Sequence, residues 1–223
     1  MQNNYNMSRP KYDTPAILQN HLDTFFLQNP THTTTHLGDM GITSLEGIKF
    51  PNLMTYLPLS HNQITSLNGI EFPPNLSTLQ VPMNKITSLN GVVFPPKLND
   101  LQLQGNQITS LNGVAFPPGL VSLDLSNNKI TSFAGMQFPL SLFSLKLAGN
   151  PIDVRTVSEL KNPSPFVIRE IVAAFPETGP HFQRIEEKKG ELGEMVDRLL
   201  EMVHDLYKQK GGRKNKTARR KRT

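Results

Sequence analysis

The chain has 223 residues, 37% of them hydrophobic and 7% aromatic, with no cysteine. That excludes disulfides, thiolate metal sites and cysteine nucleophiles together, and no run approaches the ~18 uninterrupted apolar residues of a membrane-spanning helix. The formal net charge of +5 is unevenly placed: KQKGGRKNKTARRKRT, residues 208–223, holds nine Lys/Arg and no acid, which leaves 14 basic residues against all 18 acids in residues 1–207.

The opening residues, 1–13, have no apolar centre, so they do not read as a secretory signal and are expected to be flexible. Absence of cysteine fits a reducing compartment, so an intracellular location in cytoplasm or nucleus is the expectation. Residues 14–30 predict a capping helix. Thr14 suits the N-cap and Pro15 the first helical position. Ile17, Leu18, Leu22, Phe25 and Phe26 mark its apolar face.

Residues 31–153 repeat every 22 residues. NQITSLNGIEFPP begins at Asn62, NKITSLNGVVFPP at Asn84, NQITSLNGVAFPP at Asn106 and NKITSFAGMQFPL at Asn128. Leu57/Leu59, Leu79/Val81, Leu101/Leu103, Leu123/Leu125 and Leu145/Leu147 precede the asparagines at Asn62, Asn84, Asn106, Asn128 and Asn150. Ile64, Ile86, Ile108, Ile130 and Ile152 follow them. Next come Leu67, Leu89, Leu111 and Phe133, then Phe72, Phe94, Phe116 and Phe138. A first unit is degenerate but in phase, with Leu37, Met40 in place of Asn, Ile42, Leu45, Gly47 and Phe50, which makes about six units. Gln63, Lys85, Gln107 and Lys129 alternate at one position, which reads as neutral and exposed.

The pattern L-x-x-L-x-L-x-x-N-x-I resembles the leucine-rich repeat, whose period is ~20–29 residues. The resemblance implies an α/β solenoid: a leucine-rich repeat arc with a short parallel β-sheet on its concave face, an extended or 3₁₀ outer side, and helical caps at both ends. Leucines alternate inward with solvent-facing residues, as strand geometry requires. The asparagine can bridge backbone groups of neighbouring turns. Gly69, Gly91, Gly113 and Gly135 allow a tight turn, and the Pro-Pro pairs stop helix formation. An open array needs covered ends. Residues 154–207 are therefore read as a helical cap or extension, beginning with DVRTVSELKN and PFVIREIVAAF. Its last helix either packs on the repeats or pairs with another chain.

The repeat register puts Thr34, His36, Gly38, Tyr56, Pro58, Ser60, Thr78, Gln80, Pro82, Asp100, Gln102, Gln104, Ser122, Asp124, Ser126, Ser144, Lys146 and Ala148 on the concave face. Tyr56, Gln80, Gln102, Asp124 and Lys146 are the expected partner contacts, because they project farthest. Pro58 and Pro82 lack a donor where a central strand would want one. Metal binding by His32, His36 and His61 is not expected, since residues four apart on a strand are separated by roughly 13 Å. Asp100 and Asp124 read as surface carboxylates rather than a catalytic pair. GGRKNKT lacks the spacing of a phosphate loop. No catalytic residue, metal or cofactor is assigned, so the chain reads as a non-enzyme.

Residues 208–223 cannot fold alone and are expected to be disordered. Arg213, Lys214, Lys216, Arg219, Arg220, Lys221 and Arg222 suit nucleic-acid phosphates or an anionic surface. The run of glycines and basic residues resembles the C-termini of proteins from large DNA viruses of protists, which would imply an infected cell or a virion. Two functions follow: a non-enzymatic scaffold binding an unidentified protein through its concave sheet, or a virion- or nucleic-acid-associated structural protein acting through the basic tail.

Overall fold

Stretches of three residues make the sheet. The computed structural model describes residues 14–153 together with Tyr12, Thr156, Phe166 and Val167. Five strands lie within them: β1 (Tyr56–Pro58), β2 (Thr78–Gln80), β3 (Asp100–Gln102), β4 (Ser122–Asp124) and β5 (Ser144–Lys146). Each buries its central leucine and turns the two flanking residues outward. The strands are parallel in the order β1-β2-β3-β4-β5, with Leu57, Leu79, Leu101, Leu123 and Leu145 in one register. Parallel neighbours need a crossover of about a dozen residues or more, usually a helix. Here the rest of each 22-residue coil returns through turns and extended chain.

That return path is shaped by proline and filled by apolar side chains. The Leu76 N–H donates to the Pro73 carbonyl at 3.1 Å, and Leu98/Pro95, Leu120/Pro117 and Leu142/Pro139 repeat the contact at 3.1 Å. Pro74, Pro96 and Pro118 take the second position of the first three of these turns, where a preset φ is favoured, and Leu140 takes it in the last. Ile64, Leu67, Leu76 and their equivalents are fully buried. Phe94, Phe116 and Phe138 stack at centroid distances of 6.0 and 6.1 Å. Each fully buried Leu or Ile stabilises the array by about 1.5–3 kcal/mol.

Turning a strand back on itself leaves amides and carbonyls inside, and the asparagine column satisfies them. Asn106 Oδ1 accepts from the Ile86 N–H at 3.0 Å, while its Nδ2 donates to the Val81 carbonyl at 2.9 Å and the Leu103 carbonyl at 3.0 Å. Asn62, Asn84, Asn128 and Asn150 make the same set. Every bond reaches the asparagine's own coil or the one before it. This accounts for Met40. The first coil has no predecessor, so its column position needs no carboxamide, and Met40 packs against the core instead.

The N-terminal end is closed by α1 (Pro15–Gln28), with Thr14 as N-cap, its hydroxyl accepting from the Ile17 N–H at 3.4 Å. Leu18 and Leu22 are fully buried, and Phe26 packs partly against the core. Ile17, expected on the apolar face, is instead 47% exposed; it lies off the narrow stripe that meets the first coil. Tyr12, ahead of the helix, donates its N–H to the Met40 carbonyl at 2.9 Å and pairs its hydroxyl with His21 Nδ1 at 3.0 Å. Burial pushes the His21 pKa below its ordinary value.

The expected strand around Thr34, His36 and Gly38 does not form. The Tyr56 N–H points back to the Thr33 carbonyl at 3.4 Å, as the Thr78 N–H does to Thr55 at 3.0 Å. Two residues along, Pro58 has no N–H to offer the first coil, so that ladder stops. Pro82 lies just past β2 and does no such damage, because Asn84 Nδ2 supplies the Leu59 carbonyl at 2.9 Å. At the other end Val167 is buried and the Phe166 ring lies 5.1 Å from that of Phe143. The rest of the expected C-terminal cap, residues 1–11 and 13 of the segment expected to be flexible, and the basic residues 208–223 lie outside the described residues.

Candidate functional site

Because the coils are in register, the outward side chains of the sheet fall into rows. Tyr56, Thr78, Asp100, Ser122 and Ser144 form one, and Pro58, Gln80, Gln102, Asp124 and Lys146 the next. Four of the five expected contact residues therefore share a row. Tyr56 stands in the other and joins them by donating its hydroxyl to Gln80 Oε1. The expectation that all five project farthest needs correction. Tyr56, Gln80, Gln102 and Asp124 are half-buried, each hydrogen-bonded to a neighbour on the face, and Lys146 alone of the five is exposed.

The two acids of this face are held differently. Asp124 is saturated: Oδ1 accepts from the Ser126 N–H at 3.0 Å and hydroxyl at 2.6 Å, and Oδ2 lies 3.3 Å from Lys146 Nζ. Asp100 is half-satisfied. Its Oδ2 accepts from Gln102 Nε2 at 3.1 Å, while Oδ1 is buried with no donor. Gln104 Oε1, further along the same coil, is also buried without a donor. Residues flanking Asp100 in register, Thr78 and Ser122, carry hydroxyls. The middle of the face thus holds two buried acceptors, Asp100 Oδ1 and Gln104 Oε1, that no donor meets. Neither Asp100 nor Gln104 was among the expected contacts. The available signal was Asp100's place as the one acid in a row of hydroxyls.

His32 meets the Phe25 ring edge-on at 5.8 Å, and His36 and His61 are exposed. Among the described residues no group of three or more His, Cys, Asp or Glu could hold a metal ion. No described helix is long and apolar enough to cross a membrane. The residues expected to meet nucleic acid, Arg213, Lys214, Lys216, Arg219, Arg220, Lys221 and Arg222, lie outside the described residues.

Two further columns flank the face. The residue before each ladder position has positive φ in every coil, whether Asp39, His61, Met83, Gly105, Asn127 or Gly149. The Gln/Lys position is paired rather than neutral: Lys85 Nζ donates to Gln63 Oε1 and Lys129 Nζ to Gln107 Oε1, both at 3.0 Å. Alternation keeps lysines off adjacent coils, where like charges directly opposite destabilise a sheet.

Residues 96–152 match the leucine rich repeat family. No curated protein sequence matches the chain. Among solved structures, a Shigella effector leucine-rich repeat domain is 29% identical over 62% of this chain and 59% of its own, with a TM-score of 0.51. YopM from Yersinia enterocolitica is 30% identical over 56% of this chain and 26% of its own, with a TM-score of 0.43. An internalin (inlF) from Listeria monocytogenes is 23% identical over 62% of this chain and 42% of its own, with a TM-score of 0.48. The chain spans less than two thirds of each of these three.

Proposed function

We propose that this leucine-rich repeat solenoid is a non-enzymatic scaffold that binds a partner protein across the open face of its sheet. The step from fold to protein binding is an analogy. What supports it in this chain is the pair of buried acceptors without donors, Asp100 Oδ1 and Gln104 Oε1, in the middle of that face. An unsatisfied buried polar atom costs about 1–3 kcal/mol, and a partner supplying donors there removes that cost. Tyr56, Gln80, Gln102, Asp124 and Lys146, on the strands of the same face, are the further contacts of this reading. The test is affinity capture from the native source with full-length bait, comparing wild type with the combined Asp100→Ala, Gln102→Ala and Gln104→Ala variant and with Lys97→Ala away from the strands. The triple variant should lose a protein that the other two retain. If it keeps every protein the wild type captures, the reading fails.

The charge segregation supports a second reading, a nucleic-acid- or virion-associated role for residues 208–223, with nine Lys/Arg and no acid. Filter binding of full-length protein to DNA and RNA should then weaken steeply with salt. Replacing Arg219, Arg220, Lys221 and Arg222 by serine should flatten that slope, and an unchanged slope would refute it.

A further inference from the structure

Leu-Asn-Gly recurs three times, at Asn68-Gly69, Asn90-Gly91 and Asn112-Gly113. The N–H of the residue after each glycine, Ile70, Val92 or Val114, donates to the carbonyl of the leucine before each asparagine at 3.4, 3.2 and 3.1 Å. Asparagine and glycine thus occupy the two central positions of a β-turn. All three glycines have φ +75°, which the third position of a type II turn demands. The main-chain N–H of each asparagine is anchored on the preceding hydroxyl, Ser66 at 3.1 Å, Ser88 at 3.0 Å and Ser110 at 3.1 Å. Both residues of each pair are exposed. Among the described residues, no hydrogen bond engages the asparagine carboxamides or the glycine amides. A carboxamide free of hydrogen bonds therefore sits beside a backbone nitrogen that carries neither a Cβ on its own residue nor a hydrogen-bond partner.

We propose that these turns are sites of intramolecular modification, converting asparagine to aspartate or isoaspartate through a cyclic imide, with Asn90 reacting first and Asn112 last. The glycine nitrogen gives up its proton and attacks the asparagine Cγ. The bond from Cγ to Nδ2 breaks, and the nitrogen leaves as ammonia with the proton. Water then opens the imide at either carbonyl, returning aspartate in the normal main chain or isoaspartate in a main chain lengthened by one carbon. The order follows from how far each carboxamide is wedged against the next coil. A Cβ placed on Gly135 would lie 2.1 Å from Asn112 Oδ1, one on Gly91 3.0 Å from Asn68 Oδ1, and one on Gly113 3.9 Å from Asn90 Oδ1. Asn112 is the most confined and Asn90 the freest to swing toward its neighbour. The turn accepts a carboxylate at this position. The first coil carries Glu46 there, its N–H on Ser44 Oγ at 3.1 Å. Isoaspartate is different, because its extra carbon falls inside the turn.

The ladder asparagines are an internal control, locked by bonds to the backbone and followed by Gln, Lys or Pro. The full-length protein is incubated in mildly alkaline buffer, natively and in parallel in concentrated urea, and mapped by peptide mass spectrometry with fragmentation that distinguishes isoaspartate. Native protein should convert Asn90 several-fold faster than Asn112, with Asn68 between them and the ladder positions intact. In urea the three rates should converge. The Asn90→Gln variant, whose ring would need an extra member, should lose conversion at that position and keep it at Asn68 and Asn112. Native conversion led by Asn112, ladder asparagines reacting as fast, or the three turns reacting only in urea would overturn the proposal.

Discussion

Two columns of asparagine run along the array, six residues apart in each coil, and the structure treats them in opposite ways. Asn62, Asn84, Asn106, Asn128 and Asn150 are buried, and each carboxamide is bonded to the backbone of two coils. Asn68, Asn90 and Asn112 are exposed and bonded through their main-chain amides alone. One residue type does two jobs because its surroundings differ. Inside, it replaces the water that turned backbone groups cannot reach. Outside, its short polar side chain suits a turn that water already solvates.

Substitutions can break or sharpen that contrast. Asn106→Ala should have the largest effect, since it strands the Ile86 N–H and the Val81 and Leu103 carbonyls in the middle of the array. With a buried unsatisfied group costing about 1–3 kcal/mol, a loss of about 3–5 kcal/mol is expected in urea unfolding. A loss comparable to that of a surface substitution would remove the distinction between the columns. Gly135→Ala should cost about 1–2 kcal/mol, because its φ of +70° is left-handed and the new Cβ meets Asn112 Oδ1. Pairing it with Asn112→Ala separates the clash from the backbone term: the double variant should recover the clash and keep the rest. Met83→Asn should stabilise by about 0.5–1 kcal/mol, placing a residue tolerant of positive φ where Met83 sits at 55°. A thermal melt that moves down instead would mean that Met83's packing over Gly105 outweighs the strain. The smallest change belongs to Asn112→Ala alone, within about 0.5 kcal/mol by urea unfolding, as expected for a surface site.

Much of this architecture was legible in the chain. The strand register, the leucine rows and the buried asparagines follow from strict recurrence, since one coil's environment is the next one's too. What escaped was whatever depends on direction or on neighbours outside the repeat. Met40 looks like a lapse in the pattern until the asparagines are seen to reach backward. Pro58 looks like Pro82 until one is found inside a strand and the other just beyond it. The positive-φ column is hidden because Asp39, His61, Met83, Gly105, Asn127 and Gly149 share a backbone shape and no side-chain chemistry. At the face, the sequence places Asp100 and Asp124 alike in exposed rows. It does not reveal that Ser126 and Lys146 saturate one while the other keeps an unused oxygen.

Because every ladder asparagine finds its partners in its own coil or the one before, the array has a sense of assembly that matches synthesis. A newly made coil leaving the ribosome has its template already folded upstream, and its asparagine completes the bonds that the N–H and carbonyl of the coil before it still lack. The solenoid is thereby suited to being laid down course by course, from the helix that closes its first turn toward the end that is made last.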